Sequence, residues 1–125
     1  MHTATTFMRD PDNQYRRGRS YGRADNPGYD QPEAVLTALE GGAGSMLFSS
    51  GMAAAAAVFQ YLPRESHVVA PHVMYWGLRA WLRNFGAARG IDVDFVDATS
   101  LDVIRQAVRP GRTRLIWIET PANPL

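Results

Sequence analysis

Ser49-Ser50-Gly51-Met52-Ala53-Ala54 is the stretch of this chain best suited to hold an anion. The apolar run Met46-Leu47-Phe48 precedes it and an alanine-rich segment follows, so these small residues mark a turn from a strand into a helix. Unpaired N–H groups and the positive end of the helix dipole make such a turn a seat for a phosphate. Taken alone, the same residues also read as an ordinary helix cap. Upstream, Tyr21-Gly22-Arg23 sets a phenol and a guanidinium two residues apart, both donors to phosphate. A solvated loop is the plainer reading there, and Arg16, Arg17 and Arg19 nearby admit a basic arm. That arm lacks the stacking platform or recognition helix of a nucleic-acid binder.

Tyr75 stands just after a strand, where open α/β sheets bind ligands. It could stack on an aromatic cofactor or simply pack between helix and sheet. Asn123 lies between Pro121 and Pro124, which stiffen the loop, so its amide is either aimed into a site or part of a plain turn. Glu119 is a site carboxylate or a loop partner. His2, His67 and His72 have no metal-ligand spacing and read as structural. Gly41-Gly42-Ala43-Gly44 precedes its strand, whereas a dinucleotide fingerprint must follow one.

The elements that would position these residues follow from patterning. Residues 9–28 are polar, glycine-containing and arginine-rich, the character of an extended arm. Asp30-Gln31-Pro32-Glu33 predicts a helix start, with Asp30 as cap and Glu33 completing a capping box. Val35, Leu36 and Leu39 give that helix an apolar face, and Gly41-Gly42 stop it. Strands are expected at 45–48, 67–70, 91–96 and 114–118. Between them, helices are expected from Gly51 to Leu62, over Leu78, Trp81, Leu82 and Phe85, and over Leu101, Ile104 and Val108. Strand–helix alternation of this spacing implies βαβ units and a mostly parallel sheet.

Composition narrows the classes. The chain has 125 residues, a net charge of +1 and no cysteine, so a disulfide scaffold and a thiolate metal site are excluded. No apolar run reaches the length of a membrane span, and the first residues lack a signal pattern. A cytoplasmic protein without nucleic-acid or membrane partners is the expectation. All 13 basic residues are arginine. Schiff-base chemistry needs a lysine amine, and this chain has none.

The order of these motifs resembles the Cys/Met-metabolism family of pyridoxal-phosphate enzymes, the trans-sulfuration lyases and synthases. The resemblance rests on Tyr21-Gly22-Arg23-Ala24-Asp25-Asn26-Pro27, Pro32-Glu33 with Leu36 and Leu39, Glu40-Gly41-Gly42, Ser49 to Ala54, Tyr75, and Glu119 to Pro124. It implies an α/β fold, a three-layer α/β/α large domain of fold type I with a mostly parallel sheet. Residues 1–28 would form an inter-subunit arm, and 29–125 the front part of the cofactor domain. Gly51 and Met52 would bind the phosphate of pyridoxal 5'-phosphate, Tyr75 would stack on its ring and aid proton transfer, and Asn123 would hydrogen-bond beside the ring hydroxyl. Tyr21 and Arg23 would reach the cofactor of a neighbouring subunit in a homotetramer.

The activity implied is β- or γ-elimination or γ-replacement on a sulfur-containing or related amino acid. The chain is expected to be an N-terminal fragment, with the family's lysine and ring-nitrogen aspartate beyond Leu125. An inert fragment or a non-catalytic binding module is the alternative. Two departures touch the substrate side: Trp76 stands where the family has glycine, and Gly28-Tyr29 follows Asn26-Pro27 in place of a threonine.

Overall fold

A computed structural model of the chain describes residue 3 and residues 5–122. Two compact units, Met1–Phe48 and Ser49–Leu125, divide it.

In the first unit the expected arm has little regular structure and is tied by polar contacts. Thr6 and Tyr21 form an isolated antiparallel bridge, and Gly22 N–H donates to Thr5 O at 2.8 Å. Arg19 holds Asp30 at 2.6 Å and Asp25 at 3.4 Å. Helix α1 spans Pro27–Glu40, starting earlier than the sequence predicts. Asn26 is the cap and accepts from Gly28 N–H at 2.8 Å, with Pro27 in the first helical position. An Asn-Pro pair is a better helix start than an Asp several residues on, because proline's missing N–H costs nothing at the first position. Pro32 is consequently internal, at the loss of one backbone bond. The helix ends, as expected, at Gly41 in the left-handed region, φ 61°.

Two further expectations are corrected here. Glu33 does not close a capping box; its carboxylate accepts from Leu47 N–H at 2.9 Å. Residues 45–48 are not a strand. A strand exists only where its backbone finds a ladder. Here the Leu47 amide is spent on Glu33, and Ser45 is held by its hydroxyl to Thr37 at 2.9 Å.

The second unit is a parallel sheet flanked by helices. Its elements are α2 (Gly51–Tyr61), β1 (His67–Pro71), α3 (Trp76–Arg89), β2 (Asp92–Val96), α4 (Leu101–Ala107) and β3 (Thr113–Ile116). The strand order is β2-β1-β3, with both pairings parallel. Each crossover carries a helix, as parallel pairing requires. β1 is central and buried along its whole length, which explains its unbroken apolar run Val68-Val69-Ala70. Phe59 of α2, Leu78 and Leu82 of α3, and Val68 and Ala70 of β1 form the core. α3 is amphipathic as predicted, with Leu78 and Leu82 buried. Gly86 lets α3 press onto the start of β2; a Cβ there would lie 2.9 Å from Ile91 O.

At the amino end of the sheet, polar groups are spent on one another. His67 is fully buried, its Nδ1 2.7 Å from Thr113 Oγ1, which also accepts from Arg109 N–H at 2.7 Å. Nε2 of His67 comes within 3.0 Å of Asp94 Oδ2, without the alignment of a hydrogen bond. Arg109 grips both oxygens of Asp94, at 3.0 and 3.1 Å, and reaches Asp92 at 3.0 Å.

Candidate active site

The carboxyl end of the sheet is built differently. The strand order reverses across β1, so the ends of β1 and β3 flank a topological switch point, the usual place for a ligand in an open α/β sheet. α2 begins there. Ser50 is extended (φ −162°, ψ 160°), its hydroxyl accepts from Ala53 N–H at 3.1 Å, and its carbonyl accepts from Ala54 N–H at 3.1 Å. This cap satisfies the third and fourth amides of the helix. The first two, Gly51 and Met52, find no partner among the described residues. They border a cavity of about 630 Å³ whose lining also includes Ser50, Tyr75, Trp117 and Glu119. Three separate sequence motifs therefore converge: the Ser49–Met52 turn, Tyr75 and Glu119.

Tyr75 is the residue that opens α3, and it is 44% exposed. Its N–H donates to Glu119 Oε2 at 2.8 Å. The other oxygen of Glu119 accepts from the Trp117 indole N–H at 3.2 Å. Glu119 is thus a carboxylate with both oxygens engaged, near the favourable end of a helix dipole. The Trp117 ring lies 5.1 Å from that of buried Phe59. Trp117 was not singled out from the sequence. The signal was present: along the β3 run, Leu115, Trp117 and Glu119 share one face by strict alternation.

Beside this cavity lies a smaller hollow of about 280 Å³, bordered by His72, Asp97, Thr99 and Thr120. The Thr99 hydroxyl donates to Asp97 Oδ1 at 2.6 Å and the Thr99 amide at 3.0 Å, and together they hold the Asp97 carboxyl below its ordinary value. His72 Nδ1 lies 2.9 Å from Val96 O, a structural role.

Tyr21 and Arg23 belong to the first unit, where the structure brings them together. The guanidinium donates to the phenol oxygen at 3.3 Å and lies 5.2 Å from the centre of its ring. Asn123 lies outside the described residues.

Chemically, the cavity offers two free amides at a helix start for an anion, with the aromatic side chains of Tyr75 and Trp117 in its lining for a flat ring. A volume of this order suits a small cofactor. A phosphate-bearing aromatic ligand fits that donor set on charge and shape. Comparison with known proteins agrees. The sequence matches the profile described as Cys/Met metabolism PLP-dependent enzyme over residues 1–125. It is 40% identical to a cystathionine gamma-lyase of Bacillus subtilis over 108 residues, covering 86% of this chain and 28% of that protein. It is 36% identical to a cystathionine gamma-synthase of Mycobacterium leprae, covering 100% of this chain and 32% of that protein. The crystal structure of metB from Corynebacterium glutamicum superposes with a TM-score of 0.88 at 34% identity, covering 98% of this chain and 32% of the other. The chain thus spans a third or less of the length of these relatives, and over that length it belongs to the Cys/Met metabolism family of pyridoxal-phosphate-dependent enzymes.

Proposed function

We propose that the full-length protein is a pyridoxal-phosphate-dependent carbon–sulfur lyase or γ-synthase. Its reaction would be β- or γ-elimination or γ-replacement on a sulfur-containing or related amino acid. The observation that carries this reading is the pair of unpartnered amides, Gly51 and Met52, opening into a cavity that also holds Tyr75. The named lyases and synthases among the relatives support the reaction class.

In this reading Gly51 and Met52 N–H bind the cofactor phosphate, aided by the α2 dipole. The Tyr75 ring lies against the pyridine face, and its phenol holds or moves a proton beside the reacting carbon. Asn123 donates beside the ring hydroxyl. Residues 1–28 act as an arm through which Tyr21 and Arg23, already paired with each other, reach the phosphate in a neighbouring subunit of a homotetramer. Pyridoxal phosphate, when bound, supplies an electron sink for negative charge developing next to the substrate nitrogen. This chain has no lysine, so its share of the chemistry is binding, orientation and proton handling. A cytoplasmic setting completes the reading, and a chain without cysteine is compatible with a reducing compartment. Among the described residues no helix is long and apolar enough to cross a membrane.

Proline at position 51 tests the phosphate seat directly. Gly51 is the first residue of α2, where proline fits the helix but removes one N–H. A Cβ at Gly51 meets nothing within 4 Å, and Ser50 already has the extended backbone that precedes proline. Gly51→Pro in the full-length protein is expected to fold normally and to weaken pyridoxal phosphate binding by roughly 10- to 100-fold, the loss of one charge-assisted hydrogen bond. Pyridoxal without its phosphate is expected to bind both proteins equally. Unchanged affinity for the phosphorylated cofactor removes the amides from the phosphate site.

A further inference from the structure

Tyr75 occupies its place in the cavity for reasons that lie outside its own side chain. As the residue opening α3 it makes no side-chain cap of its own helix. Its amide is instead held by Glu119, more than forty residues on, at the end of the β3 run. The same carboxylate accepts from Trp117. Trp117 is fixed in turn by its backbone N–H to Val69 O at 2.8 Å and by its ring against buried Phe59. A line of contacts therefore runs from the central strand and α2, through Trp117 and Glu119, to the backbone of Tyr75.

The ring of Tyr75 is placed by a second feature. Gly77 lies beneath it: a Cβ at that position would stand 2.8 Å from Tyr75 Cε1 and 3.0 Å from both its Cζ and its Oη. Contacts under 3.0 Å are not tolerated, so any side chain at 77 forces the ring to swing away. The amide is thus held from the sheet side, and the phenol rests on a hollow that only glycine leaves open.

We propose that Glu119 and Gly77 are positioning residues that set the pose of Tyr75 over the cofactor, Glu119 through the backbone and Gly77 through the space it leaves. This rests on the reading of Tyr75 as the cofactor-stacking residue. The chemistry explains why a carboxylate is needed. Two N–H donors converge on Glu119, and only a carboxylate offers an acceptor to each. A glutamine amide turns one of its ends into a donor and sets N–H against N–H.

The test uses Glu119→Ala, Gly77→Ala and Tyr75→Ala in the full-length protein. For Glu119→Ala, which removes both acceptors, hydrogen exchange of the Tyr75 amide is expected to rise about tenfold or more, since the bond that holds it is lost. For Gly77→Ala, thermal stability is expected to hold or rise, because alanine is the better helix former. Both variants are expected to bind pyridoxal phosphate about tenfold more weakly and to change the circular dichroism band of the bound cofactor. A merely structural role for Gly77 predicts the opposite pairing, lower stability with cofactor binding unmoved. Unchanged exchange at Tyr75 in Glu119→Ala overturns the backbone anchor. Unchanged affinity and dichroism in both variants, with Tyr75→Ala clearly weakened, overturns the positioning role alone. If Tyr75→Ala also binds normally, the stacking reading of Tyr75 falls and the positioning role falls with it.

Discussion

The two ends of the parallel sheet spend their polar groups in opposite ways. At the amino end, His67, Thr113, Asp94, Asp92 and Arg109 face one another, and the backbone amide of Arg109 joins the network. At the carboxyl end, Ser50 takes care of the third and fourth amides of α2 and leaves the first two free beside an open cavity. Of these side chains His67 is the one fully buried, and a buried polar group without a partner is costly, so its bond to Thr113 serves stability. Donors left unused at the rim of a cavity are where binding energy for a ligand can be gained. The contrast teaches that the direction of the strands, set by the βαβ connections, decides which end is structural and which is functional.

The most forceful way to break this comparison is at the amino end. His67→Ala removes a fully buried side chain that touches Thr113 and Asp94. The loss of volume together with stranded polar groups is expected to cost about 2–4 kcal/mol of unfolding free energy. Pyridoxal phosphate affinity of the folded protein is expected to stay unchanged. Chemical denaturation and a cofactor titration check the two halves. A variant that lost affinity while keeping its stability would show that the amino end communicates with the cavity, and the division of labour would fail.

Ser50→Ala acts at the other end and should do the reverse in smaller measure. It deletes the hydroxyl that caps α2, at a cost of about 1 kcal/mol. The Ala53 amide would be freed, and the start of the helix would fray where the phosphate is to sit. Weaker cofactor binding at a modest stability cost is the expected pairing. A stability loss with no change in cofactor affinity would mean that the geometry of the α2 start is irrelevant to binding.

How much of this was legible in the sequence follows the range of the interactions. The start of α2 was readable because its cap, its small residues and its alanines are neighbours in the chain. The same holds for α3, where Leu78 and Leu82 repeat at helical spacing, and for the stop at Gly41. Tertiary partners were not readable. Glu33 looks like a capping residue locally, yet its carboxylate serves Leu47. Residues 45–48 have the apolar content of a strand, but hydrophobicity does not supply a neighbouring ladder. Glu119 was visible as a carboxylate near the site, with its role open between chemistry and structure. Its partner Tyr75 N–H could not be foreseen, because a loop's hydrogen bonds depend on what the fold brings beside it. Asn26-Pro27 is the exception, a local signal outweighed by the more conspicuous Asp30-Gln31-Pro32-Glu33.

Asp97 offers the finest test of the contrast, because, like Glu119, it is a paired carboxylate at the end that also carries the free donors of α2. Its carboxyl is held below the ordinary value of 3.8, first by the Thr99 hydroxyl and then by the Thr99 amide. A carboxyl whose folded pKa is depressed contributes stability above its unfolded pKa, and that contribution disappears as pH falls through the lower folded value. Thr99→Val keeps the shape and the amide but removes the hydroxyl donor. The Asp97 pKa, followed by carboxyl NMR titration, is expected to rise toward 3.8 without reaching it. The variant should be slightly less stable than the parent at neutral pH and equal to it in acid below the folded pKa. The group is fully exposed, so solvent screens the effect and the difference should be the smallest of the series. A stability gap that persisted in acid would point to lost packing at position 99, and the hydroxyl would then have no electrostatic part in holding Asp97 at the rim of the smaller hollow.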